Sequence, residues 1–160
     1  MENQALIKEG IAKLVSGQIF VSVLYLVLIA VTITVILLAL KFKLLTVKNR
    51  TPLVLTVFLC SALLICAQLV RFVPILQDYK EESYTVARNA TLVIREGTTG
   101  TVHRTNHVTV TTSDGETINL LIEDGFKLDT GVEYEGQVAY TNHSGYVVWF
   151  DLTEIPPAGN

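Results

Sequence analysis

Apolar residues fill positions 19–40 and 53–70 without one charged side chain in either run. At about 1.5 Å per residue the first run makes a helix of about 33 Å, enough for a hydrocarbon core of roughly 30 Å. Val and Ile are abundant in the first run and would favour a strand in water. In lipid an unpaired strand leaves its backbone groups without partners, so the pattern predicts helices. Thr51 and Pro52 suit the opening turn of the second helix, and Pro74 predicts its end. Residues 19–73 therefore read as a transmembrane helical hairpin around a connector at 41–50. Ahead of it, Ile7, Ile11, Leu14 and Val15 recur at helical spacing. Residues 1–18 are expected to form a helical lead-in or an interfacial helix lying on the membrane. A cleaved signal peptide is not expected: its apolar core spans about 7–15 residues and is followed by a small-x-small site.

After a polar juxtamembrane linker at 74–83 the period drops to two. Leu92 and Ile94 alternate with Thr91 and Val93, and Val108 and Val110 with His107, Thr109 and Thr111. Ile118, Leu120 and Ile122 oppose Thr117, Asn119 and Leu121. Val132, Tyr134, Gly136, Val138 and Tyr140 oppose Glu133, Glu135, Gln137 and Ala139. Tyr146, Val148, Phe150 and Leu152 oppose Val147, Trp149 and Asp151. Such alternation marks strands with one buried face. Turn signals lie at 97–100, Thr105-Asn106, Asp114-Gly115, Asp124-Gly125 and 142–145. Residues 84–155 are thus expected to form a small all-β domain of five or six strands, with 156–160 a disordered tail.

A strand, a tight hairpin, a connection and a closing hairpin with a Gly136-Gln137-Val138 bend resemble the small OB-type barrels of bacterial proteins, over roughly residues 89–155. The resemblance implies a five-stranded barrel. The helix usual between the third and fourth strands of such barrels has no room at 123–130. An SH3-like barrel or a small sandwich fits the same strand count, and the OB-like barrel is favoured.

Charge divides the chain in the same place. Residues 1–73 carry seven Lys/Arg against two Asp/Glu, and residues 74–160 carry five against thirteen. Lys41, Lys43, Lys48 and Arg50 make the connector basic, with no acid beside them. The positive-inside rule then places the connector in the cytoplasm and the N-terminus and β-domain outside. Lys8, Lys13, Arg71, Lys80 and Arg88 on the opposite flanks pull the other way. Both cysteines, Cys60 and Cys66, fall in the second apolar run, so no disulfide framework is expected.

Candidate chemistry is sparse. His103 and His107 are four apart, closer to each other only if a turn intervenes, and His143 lies in a separate turn; no metal site is expected. The acids of the second half lack the oxygen-ligand spacing of a calcium loop. No G-x-S-x-G elbow and no phosphate-cradling glycine loop is present, so neither an enzyme nor a cofactor is expected. An acidic domain without a basic groove excludes nucleic acid. The spans lack the charges that ion paths use. Trp149, Val147, Tyr134 and Tyr140 are candidates for a partner surface. Ala62, Cys66 and Gln68 give the second helix a small, polar face for helix–helix contact, within the hairpin or with a partner.

The expected function is a non-enzymatic, bilayer-anchored envelope protein of bacteria. Its acidic extracytoplasmic β-domain would serve protein–protein interaction, as an accessory subunit of a membrane assembly or an immunity-type protein. The partner would be another membrane or envelope protein, or further copies of the chain. An oligomeric two-span channel or pore subunit is the second expectation, and a small ligand- or metal-sensing membrane protein the third.

Overall fold

A computed structural model describes residues 2–42, 50–95, 105–123, 126 and 128–155. Two helices precede five strands: α1 (Glu2–Lys41), α2 (Arg50–Glu81), β1 (Tyr84–Arg95), β2 (Thr105–Thr111), β3 (Thr117–Glu123), β4 (Glu133–Thr141) and β5 (Val147–Glu154). Lys43 and Lys48, the turns at 97–100 and Asp124-Gly125, His103 and the tail at 156–160 lie outside the described residues.

Backbone contacts divide the chain into two compact units, one of Val15–Pro74 and one of Met1–Leu14 with Ile75–Asn160. In the first, α1 and α2 are long and apolar enough to cross a membrane, and their apolar windows are unburied within the protein. Phe20, Phe58, Leu63 and Val70 are each exposed by 68% or more. The half-buried positions Gln18, Ser22, Tyr25, Ile29, Ile33, Ile36 and Leu40 recur in steps of three and four along α1. That spacing leaves a single, less exposed stripe along the helix.

Pro74 does not end α2, which continues to Glu81. The expected linker at 74–83 is therefore mostly helix. A proline removes one i→i−4 hydrogen bond and crowds the preceding turn but does not forbid the turns beyond it. Here those turns have a partner to fold against: Ile75 and Asp78, three apart on one face, are 1% and 0% exposed in the unit that holds the sheet.

The sheet order is β3-β2-β1-β4-β5, with every hydrogen-bonded pair of strands antiparallel. The sheet is not closed. Its edge strands meet at one isolated parallel bridge, Leu121 to Tyr146, where Leu121 N donates to Gly145 O at 2.8 Å. The period-two faces point as the pattern requires: Leu92, Ile94, Val108, Val110, Leu120, Ile122, Tyr134 and Val138 form the core. Thr105-Asn106 is not a turn but the start of β2, paired with Glu123 and Ile122. Asp114-Gly115 does turn, with Thr112 N donating to Glu116 O and Gly115 N to Thr112 O, both at 2.9 Å.

Two glycines carry the bends. Gly136 has φ 156°, and a Cβ there would strike the Asp151 carbonyl, so only glycine lets β4 lie this close to β5. Gly10 faces the backbone of Val148, where any side chain would meet the Val148 carbonyl. Val147 and Val148 are consequently both buried, at 3% and 6% exposure, although neighbours on a strand point to opposite faces. One face of β5 belongs to the core; the other lies under the start of α1.

Candidate interaction site

The β4–β5 turn is densely hydrogen-bonded. Asp78, on the last turns of α2, accepts from His143 N at 2.9 Å, Ser144 N at 2.8 Å and Ser144 Oγ at 2.6 Å. A carboxylate fully removed from solvent has to be satisfied in this way, and backbone N–H groups of a tight turn are suited to it. Thr141 closes the turn from within: its Oγ1 shares a hydrogen bond with Ser144 Oγ at 2.8 Å and accepts from Tyr146 N at 2.8 Å. Asn142 Nδ2 donates to Ser83 Oγ at 3.0 Å, and Thr85 Oγ1 donates to Asn142 Oδ1 at 2.7 Å. His143 Nε2 stands 3.3 Å from Glu81 Oε2. Lys8 Nζ donates to Glu82 Oε1 at 2.7 Å across an exposed ion pair. That hydrogen bond, helped by the Glu82 charge, holds the Lys8 ammonium above its ordinary pKa of 10.5.

The same unit holds a groove of about 260 Å³, lined among others by Leu6, Gly10, Lys13, Phe126, Val148 and Trp149. The rings of Phe126 and Phe150 sit 4.9 Å apart, tilted by 52°. Trp149 is half-buried at the groove, where a partner-facing indole was expected. Val147 and Tyr134 are not surface residues, at 3% and 7% exposure, and Tyr140 is half-buried against the core. Tyr134 uses its hydroxyl internally, accepting from Asp129 N at 2.9 Å. The expectation of a partner surface built from all four residues is corrected: Tyr134 and Tyr140 share the core face of β4 with Val138, and the bulge at Ala139/Tyr140 turns Val147 to that face while Trp149 stays on the other.

In the helical unit, Gln18 Nε2 donates to Gln68 Oε1 at 3.5 Å, so Gln68 faces the partner helix of its own hairpin. Ala62 is half-buried and Cys66 exposed, which separates the two small residues that the spacing placed together. Near Gln68 lies a cleft of about 230 Å³, lined among others by Ser22, Tyr25, Ile29, Ile65 and Phe72. Ser22 Oγ is buried there without a hydrogen-bond partner.

Among the described residues no three His, Cys, Asp or Glu side chains converge as metal ligands. His107 is exposed on β2, and Lys41 and Arg50 stand at the helix ends that flank the connector.

Asp78 and Gly10 were not singled out from the sequence. The available signals were an acid in phase with Ile75 on an otherwise apolar helix face, and a glycine inside a helical apolar stripe. The first is visible only once Pro74 is allowed inside a helix. Compared with protein-family models, curated proteins and solved structures, the chain matches none.

Proposed function

We propose that this chain is a two-span membrane protein of the bacterial envelope, without catalytic activity of its own, that presents its β-domain outside the cytoplasm for docking to another envelope protein. One observation carries the reading: both helices turn long stretches of bare apolar side chains outward, a surface that water does not tolerate and a bilayer does. The basic connector supports a cytoplasmic loop, with both termini outside. The strand order, with β3 and β5 approaching in parallel at Leu121 and Tyr146, supports an OB-like, partly open five-stranded barrel. The groove at Trp149 and Phe126 is the surface proposed for the partner: concave, aromatic and rimmed by charge.

Topology is the test. In a background with Cys60→Ser and Cys66→Ser, single cysteines at Ser113 and at Thr46 are treated in intact cells with a membrane-impermeant maleimide. Labelling at 113 and protection at 46 are expected, with the chain remaining in membranes after alkaline carbonate washing. Labelling at 46 alone reverses the orientation. Release by carbonate ends the membrane-spanning reading.

A further inference from the structure

We propose that the Gln18–Gln68 level of the hairpin is a contact layer for a second copy of this chain, which joins the two copies through reciprocal amide hydrogen bonds. The proposal rests on the two-span reading above. The Gln18–Gln68 bond is 3.5 Å long, at the outer limit for an amide pair. It leaves the Gln68 amide nitrogen without an acceptor, and the Gln18 carbonyl oxygen without a donor, among the described residues. Ser22, one turn further along α1, has a buried hydroxyl with no partner. Its behaviour is unlike that of Thr32, Thr34, Thr56 and Ser61, each of which donates to the carbonyl one turn back at 2.8 Å. The polar groups left over therefore collect at one level, beside the cleft of about 230 Å³.

The occupant of that cleft has to bring hydrogen-bonding groups with it. A lipid tail supplies neither donor nor acceptor, whereas a polar helix supplies both. A second copy is favoured by symmetry. A two-fold axis along the membrane normal keeps every residue at its own depth, so the Gln68 amide of each copy meets the Gln18 carbonyl of the other. Donor and acceptor are present in the same set of residues, which is the self-complementarity that an isologous interface needs. A different protein would have to place a polar residue at this one depth.

The test uses the full chain in phosphatidylcholine/phosphatidylglycerol vesicles, with donor and acceptor dyes on Ser113→Cys in the Cys60→Ser, Cys66→Ser background. Energy transfer is expected to rise with the protein-to-lipid ratio and to fit a two-chain species. Gln18→Leu with Gln68→Leu is expected to raise the half-association ratio about tenfold while leaving the far-ultraviolet spectrum unchanged. Absence of transfer at the highest ratio overturns the proposal, as does association indifferent to the double substitution. A monomer that retains lipid in the cleft also overturns it. Alkaline carbonate separates the two failures: a monomer that stays in the membrane sinks only the dimer, and a chain washed out sinks the spanning reading as well.

Discussion

Asp78 ties the last turns of α2 to the β4–β5 turn through a single side chain. It is fully buried and accepts three hydrogen bonds from a two-residue stretch of turn. Asp78→Asn keeps the volume but turns a donor toward groups that are themselves donors. Loss of about 3 kcal/mol is expected, read as a lower midpoint in chemical denaturation monitored in the β-domain. Ser144→Ala removes one of the three bonds together with the Thr141–Ser144 bond and is expected to cost less, about 1.5 kcal/mol. The exposed Lys8–Glu82 pair behaves differently. Because its folded pKa is raised above 10.5, the stabilisation that Lys8 provides is complete below that value and fades as pH climbs through the folded pKa. Lys8→Met should therefore trail the wild type slightly from neutral pH up to about 10 and converge with it in stronger base, which parallel thermal melts across pH would show.

At the level of the helices and strands, much of the architecture was legible and the exceptions share one cause. Period two located the strands and their core faces because one side of each faces a common interior, as with Leu92, Ile94, Val108 and Val110. Ile7, Ile11 and Leu14 were recognised as one apolar face, and all are buried at 5% exposure or less. What covers that face was not legible. A stripe that fits a lipid surface fits a sheet equally well, and only the missing side chain of Gly10 hinted at close backbone contact. The Pro74 and Thr105-Asn106 expectations failed because local turn and breaker signals were outweighed by long-range partners, the sheet unit for α2 and β3 for β2. The two helical glycines give a matched test. Gly10→Ala would drive a methyl into the Val148 carbonyl and is expected to destabilise by about 2 kcal/mol. Gly17→Ala meets nothing within 4 Å and is expected to stabilise by about 0.5–1 kcal/mol. Urea titrations of the two variants in the same detergent would show opposite signs.

For the molecule as a whole, the sequence sets the β-domain at residues 84–155, and the strands do not stand alone in their unit. The compact unit that contains the sheet takes in Met1–Leu14 and begins its second segment at Ile75. A fragment starting at Tyr84 would lose Asp78 and Ile75 as well as the residues that cover Val148. It is expected to melt well below the same strands in the full chain, or to aggregate, by circular dichroism and size-exclusion chromatography. The site was less legible than the fold for a related reason. Of the four residues assigned to a partner surface, Trp149 and Val147 line the groove but Val147 is buried, since the bulge that turns Val147 into the core leaves no mark in a run of apolar residues.

The Asp78 clasp also sets an order in time. The carboxylate leaves the ribosome 65 and 66 residues before the turn that satisfies it. At about 5–20 residues per second, roughly 3–13 s of synthesis separate the two. During that interval the end of α2 carries an acidic side chain with no fixed partner, so its last turns stay solvated until the final hairpin emerges. Completion of the β4–β5 turn is then the event that makes the nascent chain resistant to protease at this junction, and chains arrested before Ser144 should be cut there.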